Sequence, residues 1–481
     1  MKHTLAFLTA LLLAPLAGLD AAETPKQKPK ILHILADDMG YSALSCYGNK
    51  DIATPNLDRL ASQGMRFTSA DADAQCSPTR AAFFSGQYGA RSGVFKVIHE
   101  QEPPKAFLRI PTANLAMPPD VATLATTLRK AGYTTGLSGK WHIADDYPAA
   151  TLRSRDGGKY FDRYDFDFRG AANEKDQVED KAVTAITDDM LGFIEAHGAQ
   201  PWFIYLACHE PHVQVIPTEE SDSLTRTASD DPLRQKCPGV LHDLDAGVGI
   251  VRAKLRALKL AERTLVVFLS DNGAPLDALE VAQQAGQKLK APEAPKPDGK
   301  TKPATDAEND DKAVNGSCND PLRGRKGLMW EGGIRVPLVM AWRGTLPAGQ
   351  VFDHPVINLD IAATALAAAD TAPLASKQLD GVNLLPFLKG DNKTAPHERL
   401  FWRYADRNLF AVREGNWKLV QSHTPTAQLF DLSADISERK DLSSQHPEIV
   451  QRLQTAWDAW NATLKSPALD KASVKKGKTK P

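Results

Sequence analysis

Residues 31–38 read Ile31-Leu32-His33-Ile34-Leu35-Ala36-Asp37-Asp38, an apolar run that stops abruptly on two carboxylates. Apart from His33 the run carries no polar alternation, which describes a strand buried on both faces, as in a parallel sheet. The same design recurs in Thr134 to Leu137 before Lys140-Trp141-His142, in Trp202 to Ala207 before His209-Glu210-Pro211-His212, and in Thr264 to Leu269 before Asp271-Asn272. Helix-like stretches lie between these runs: Val121 to Ala131, Lys181 to His197 and Leu241 to Leu258. Such alternation predicts an α/β fold, a large and mostly parallel sheet flanked by helices on both faces. Ligands of these sheets bind beyond the carboxyl ends of the strands, so all four polar clusters are expected on one edge. Any one cluster could be a turn or a helix cap; their convergence is what argues for an active site.

Working outward, Val336 to Trp342 reads as a further strand and Leu359 to Ala369 as an Ala-rich helix. From about residue 396 the texture changes. Leu400 to Tyr404, Leu409 to Glu414 and Trp417 to Gln421, the last two joined by Gly415-Asn416, predict antiparallel strands, and Pro447 to Leu464 predicts an amphipathic helix. The expected organisation is a catalytic domain over 23–395, a smaller C-terminal α+β subdomain over 396–465 and a disordered tail over 466–481. Residues 277–320, rich in Ala, Lys, Pro and acids with almost no aromatics, are expected to be a low-complexity surface insertion. At the other end, Met1-Lys2-His3, the apolar Leu5 to Leu19 and the small pair Ala21-Ala22 read as a signal peptide over 1–22. The chain is therefore expected to be exported, periplasmic or secreted, with no membrane attachment once the leader is cleaved.

The charges balance at 58 basic against 59 acidic residues, a net of −1, which removes the broad positive field of a nucleic-acid-binding protein. Five cysteines, at 46, 76, 208, 237 and 318, are too few and too scattered for a disulfide scaffold, and an odd count leaves at least one outside any intrachain pair. Cys46 and Cys208 sit in apolar surroundings and read as small buried hydrophobes.

Cys76 reads differently. Cys76-Ser77-Pro78-Thr79-Arg80, followed by Ser85-Gly86, resembles the signature of the formylglycine-dependent sulfatases of the alkaline-phosphatase-like superfamily. Ser85 stands where that family usually has Thr, and keeps the hydroxyl. Gly139-Lys140-Trp141-His142, His209-Glu210-Pro211-His212, and Gly324-Arg325-Lys326-Gly327 leading into Trp330-Glu331-Gly332-Gly333-Ile334-Arg335 are similar to further family segments, in family order, over roughly 30–420. Two departures stand out: Ile143-Ala144 where Leu-Gly is usual, and Val213-Gln214 where a Pro often follows the His.

The resemblance implies that Cys76 is oxidised to formylglycine by a formylglycine-generating enzyme during export. A hydrated aldehyde offers one hydroxyl to attack sulfur and a second through which the sulfated adduct can collapse, an exit that a thiol lacks. It further implies that Arg80, Lys140, His142, His212 and Lys326 stabilise charge or move protons. Asp37, Asp38, Asp271 and Asn272 are hard oxygen donors suited to Ca²⁺ or Mg²⁺. The resemblance implies Ca²⁺, held together with the modified Cys76. Adjacent strand residues point to opposite faces, so Asp37 and Asp38 can share an ion only if the chain turns, as Gly40 would permit. Glu331 and Arg335 read as a structural ion pair. The expected activity is hydrolysis of sulfate esters, with sulfated carbohydrate as substrate. A phosphoester or phosphonate hydrolase of the same superfamily, and a non-catalytic sulfated-glycan-binding protein that keeps Cys76 as a thiol, are the alternatives.

Overall fold

The computed structural model describes residues 27–94, 96–97, 108–109, 117–118, 121–143, 166–170, 183–212, 215–225, 232–275, 319–373, 378–404, 409–422, 424, 426–464 and 470–471. The expected leader over 1–22, nearly all of 277–320 and most of 466–481 lie outside the described residues. In chain order the strands are Lys30–Asp37 (β1), Met65–Phe67 (β2), Ala70–Asp71 (β3), Leu108–Arg109 (β4), Thr134–Gly139 (β5), Phe168–Arg169 (β6), Trp202–Pro211 (β7), Thr264–Ser270 (β8), Leu338–Ala341 (β9), Gln350–Phe352 (β10) and Val356–Ile357 (β11). The C-terminal part adds Arg399–Tyr404 (β12), Leu409–Glu414 (β13), Trp417–Gln421 (β14), Gln428–Asp431 (β15) and Asp470–Lys471 (β16).

Eight strands form the main sheet in the order β10-β2-β9-β8-β1-β7-β5-β6. β8, β1, β7, β5 and β6 are mutually parallel, and β9 alone runs against its neighbours β8 and β2. The central position of β1 explains its composition: all eight residues are buried, because helices cover both faces. Side-chain alternation sends Ile31 and Leu35 to one core with Phe83, Phe84, Tyr205 and Leu269. It sends Leu32 and Ile34 to the other, with Ile204, Leu206, Phe268 and Leu244. The helices Cys76–Ser85, Leu124–Lys130 and Asp360–Ala368 pack on the first face, and Pro55–Gln63, Val183–Ala196 and Pro232–Ala257 on the second.

β12 to β15 form a separate antiparallel meander. The helix Pro447–Ala462 closes it, seating Ile449 and Leu453 on Phe410, Val412, Leu419 and Leu429. Trp402 docks this sheet against the larger part, donating from Nε1 to Ala72 O at 2.9 Å. Two boundaries differ from expectation. The helix expected over Leu241 to Leu258 begins instead at Pro232, ends at Ala257 and carries Pro238 inside it. β15 was not expected, because its four residues are half apolar and follow a polar loop. Among the described residues no helix is long and apolar enough to cross a membrane.

Candidate active site

The carboxyl ends of β1, β5, β7 and β8 do converge. Asp37 ends β1, Lys140 follows β5, His209 and His212 stand at the end of β7, and Asp271 and Asn272 follow β8. Asp37 and Asp38 reach one site because Asp38 itself takes left-handed backbone (φ 63°), so the turn falls on the carboxylate residue and Gly40 is not needed for it. Asp38 N donates to Asp271 Oδ1 at 3.1 Å and Met39 N to Ser270 Oγ at 3.0 Å, which pins this turn to the end of β8. At the end of β5, Gly139 (φ 96°) packs so tightly that a Cβ there would lie 1.9 Å from Ala207 O. That approach lets Lys140 N donate to the same carbonyl at 2.9 Å and aims the lysine inward.

Cys76 is the first residue of a ten-residue helix that is buried throughout. Pro78 sits in the first turn, where its missing N–H costs nothing, and Gly86 (φ 65°) closes the far end. Cys76 Sγ lies 3.4 Å from Asp37 Oδ1 and 3.8 Å from Asp38 Oδ1. Burial first, then Asp271 and Asp37, push the thiol well above its ordinary value, outweighing Lys140 and Lys326. As an unmodified cysteine the residue is thus a neutral thiol, the weak form both as nucleophile and as ligand.

Three cations face the carboxylates. Lys140 Nζ bonds to Asp37 Oδ2. Lys326 Nζ spans both oxygens of Asp38 at 2.8 and 2.9 Å. Arg80, fully buried, donates to Asp271 Oδ2 from Nε (3.1 Å) and Nη2 (2.8 Å), and from Nη1 to Lys140 O (2.9 Å) and Tyr205 Oη (3.2 Å). Its closest carboxylate is therefore Asp271, with Asp37 Oδ2 farther at 3.6 Å from Nη2. His212 Nε2 stands 3.5 Å from Asp38 Oδ2 and His209 Nδ1 3.9 Å from Asp37 Oδ2. His142 is half-buried with left-handed backbone (φ 57°) and makes none of the contacts just given.

Burial alone would raise the Asp37 carboxyl, but Lys140, His212, Arg80 and His209 together hold it well below its usual range. Burial likewise opposes Asp38, and Lys326 with His212 keeps it lowered. Burial and then Asp37 push Asp271 upward against the pull of Arg80. Burial also lowers His212 to about 4, so its ring is neutral near pH 7.

These donors suit a hard divalent ion. Ligand atoms of Asp37, Asp38, Cys76 and Asp271 all lie within 4.8 Å of one another. Asn272 Nδ2 donates to Asp38 Oδ1 at 2.7 Å while its Oδ1 is buried without a hydrogen-bond partner. Turning the amide over would aim that oxygen into the carboxylate cluster as a fourth oxygen donor. His209 and His212 with Asp37 form a second grouping of ligand atoms on the same rim.

Three contributors are absent from the sequence reading. Tyr205 holds Arg80 from β7; its alternation onto the Arg80 side of the sheet was a usable signal. Thr79 Oγ1 donates to Asp271 O at 2.6 Å, a pairing across 192 residues that no local pattern shows, and Ser270 Oγ donates to Asn272 O at 3.0 Å within the turn that follows β8. The Glu331 and Arg335 pair is structural as expected, with Nε 2.5 Å from Oε2 in a fully buried setting. Of the two cysteines read as apolar, Cys208 is buried in the core, whereas Cys46 is half-buried and its N–H donates to Asp58 Oδ1 at 2.9 Å.

A profile described as Sulfatase matches residues 29–371, and one described as N-sulphoglucosamine sulphohydrolase, C-terminal, matches 325–461. Arylsulfatase A of Homo sapiens is 29% identical over 92% of this chain and 89% of its own. N-acetylgalactosamine-6-sulfatase of Canis lupus familiaris is 28% identical over 85% and 74%. Among solved structures, Ps i-CgsB in complex with k-i-k-neocarrahexaose superposes with a TM-score of 0.74 at 25% identity, covering 93% of this chain and 96% of that one. The phosphonate monoester hydrolase of Agrobacterium radiobacter shares the fold, with a TM-score of 0.61 at 19% identity over 90% and 95%. A profile that spans most of the chain, on an alkaline-phosphatase-like sheet whose strand ends gather these carboxylates and lysines around Cys76, assigns this protein to the sulfatase family of sulfuric ester hydrolases.

Proposed function

We propose that the chain removes sulfate from a sulfated carbohydrate, that Cys76 acts after conversion to formylglycine by a formylglycine-generating enzyme, and that Asp37, Asp38, Asp271 and Asn272 hold Ca²⁺, or Mg²⁺, beside it. The observation that carries this reading is the setting of Cys76. The residue heads a buried helix 3.4 Å from a carboxylate, where the thiolate is disfavoured, so the thiol is a poor final form for a nucleophile. The carbohydrate assignment is supported by two relatives, the N-acetylgalactosamine-6-sulfatase and the carrahexaose-bound Ps i-CgsB. The leader over 1–22 supports export to the periplasm or medium, where such polymers are met.

The geometry supports the following roles. Lys140 and Lys326, on opposite sides of the carboxylate pair, orient the non-bridging oxygens of the sulfate and neutralise charge gathering on them. His212, neutral near pH 7 and partly open to solvent, donates a ring N–H to the ester oxygen; His142 shares the task of charge and proton handling. Arg80 and Tyr205 fix Asp271 from behind. A bound divalent ion supplies Lewis acidity toward a sulfate oxygen and favours the ionised hydroxyl. The hydrated aldehyde supplies the nucleophilic hydroxyl and the second hydroxyl that permits release.

The test is the mass of the tryptic peptide 67–80 from protein made beside a formylglycine-generating enzyme, paired with sulfate release from a panel of sulfated sugars. An aldehyde at Cys76 with sulfate release is expected. An intact thiol, with the maturation enzyme working on a control peptide, overturns the mechanism. Faster release from matched phosphate esters would instead favour the phosphoester reading.

A further inference from the structure

A second concentration of positive charge lies at the opposite edge of the sheet, around the start of β8, some seven strand residues or about 20 Å from Asp271. A shallow cleft opens there between the ends of the helices Pro55–Gln63 and Pro232–Ala257 and the strands β8 and β9. Leu60, Leu255 and Val266 form its apolar floor, and Arg252, Arg256 and Arg343 its polar wall. Arg252 is 7% exposed, and its guanidinium donates only to neutral acceptors, Asn56 O at 2.9 Å and Gln63 Oε1 at 2.8 Å. Burial, then the fields of Arg256, Arg59 and Arg343, lower Arg252 to about 10. Those three arginines are exposed, and among the described residues their guanidinium groups make no hydrogen bond and no ion pair. The acid nearby, Asp245, is already committed to the N–H groups of Asn56 and Leu57. A helix C-terminus favours cations in its last turn, which accounts for Arg256 taken alone. It does not account for Arg343, which arrives from beyond β9 and lines the same cleft, nor for the field of Arg59 from the helix Pro55–Gln63.

We propose that this arginine cleft is a second anion site, one that takes a sulfate group and so tethers a sulfated chain away from the catalytic centre. Guanidinium groups present paired donors to tetrahedral oxyanions, and an anion there would relieve the repulsion among Arg252, Arg256 and Arg343 that Asp245 offsets only in part. The sulfate can come from a sulfated glycan or from the free ion that the reaction releases, and the two sources separate experimentally.

The experiment uses the full chain as Cys76→Ala, with and without Arg256→Gln and Arg343→Gln together. Binding of a dextran sulfate oligosaccharide, with unsulfated dextran as control, is measured across salt concentration, and sodium sulfate is compared with sodium chloride at matched ionic strength in thermal melts. The double change is expected to weaken oligosaccharide binding about tenfold, the factor for two solvent-exposed charge contacts, with a shallower salt dependence. Loss of sodium sulfate's stabilisation with unchanged oligosaccharide binding would still uphold the site and assign it to the free ion. Unchanged behaviour with both ligands overturns the proposal. So does a parallel loss of turnover on a small aryl sulfate when the same changes are made with Cys76 present, since the arginines would then be supporting the fold. Because binding is read without turnover, the result stands whether or not the carbohydrate reading of the active site survives.

Discussion

At the carboxyl edge of the main sheet Asp37, Asp38 and Asp271 face Arg80, Lys140 and Lys326, whereas beneath the C-terminal sheet Asp71, Glu331 and Glu438 face Arg335, Arg413 and Lys418. Both clusters hold three acids and three bases, and each keeps one acid in left-handed backbone, Asp38 (φ 63°) and Glu438 (φ 51°). Neither charge count nor backbone strain therefore tells them apart. Wiring and access do. In the interface cluster Lys418 is fully buried between Glu331 Oε1 (2.7 Å) and Glu438 Oε1 (2.9 Å), and Arg413 Nη1 reaches Asp71 Oδ2 at 3.5 Å, so each base from the C-terminal sheet is held by buried acids. In the edge cluster the side chains of Lys326 and His212 stay 17% and 19% open to solvent over carboxylates that already crowd one another. A buried ionic cluster becomes a reaction site when a cation such as Lys326 stays open to solvent, where an incoming anion can meet it.

Removing the nucleophile tests this contrast most severely. Cys76→Ala should lower sulfate release by about 10⁵-fold or more, as loss of a covalent nucleophile does elsewhere, while thermal melts change little because a small, charge-surrounded side chain contributes little packing. Residual turnover near the parent rate would mean that the edge cluster alone performs the reaction. Lys418→Met should do the reverse. Breaking a buried pair from one side takes from ionised Glu331 one of its two cations, and about 3–5 kcal/mol of stability should disappear in denaturant titration, with kcat held within a few-fold well below the melting temperature. Collapse of kcat in a still-folded protein would show that the two clusters act as one, since Glu331 lies five residues beyond Lys326 on the same segment.

Lys326→Met sharpens the catalytic half. Its Nζ is the accessible donor over Asp38, so kcat/KM should fall by about 10²–10³-fold, with kcat carrying most of the loss if the contact strengthens as charge gathers on the sulfate. A change confined to KM would make it a substrate-holding residue only.

How much of this was legible in the sequence follows the same line between local and distant. The runs ending at Asp37, Gly139, Ala207 and Ser270 announced their strands and the common edge, because burial on both faces leaves an unbroken apolar text. The Cys76 helix was legible as a motif, and β13 and β14 as strands around a turn. What stayed hidden was pairing between distant residues: Tyr205 with Arg80, 125 apart, and Glu331 with Glu438, 107 apart. Lys418 and Glu438 look in sequence like ordinary solvated surface charges, and only the docking of one sheet on another buries them. The turn at Asp38 escaped for a related reason, since an aspartate tolerates left-handed backbone without advertising it.

The smallest effect concerns protons. Burial pushes the Glu438 carboxyl up to about 7, against Lys418, because Glu331 competes for the same ammonium and also holds Arg335. In the unfolded chain a glutamate titrates near 4.3. A raised folded value means that the native state binds the proton more tightly, so the stabilising contribution is complete below about pH 4.3 and is lost as the pH climbs toward 7. Glu438→Gln removes that titration. The stability of the parent relative to Glu438→Gln should therefore fall between about pH 4.5 and 7 and level off above, as read by denaturant midpoints across buffers. The opposite slope would show Glu438 ionised throughout as the true partner of Lys418. The interface cluster would then resemble the edge cluster, where Asp37 is held well below its usual range, and access alone would remain to separate them.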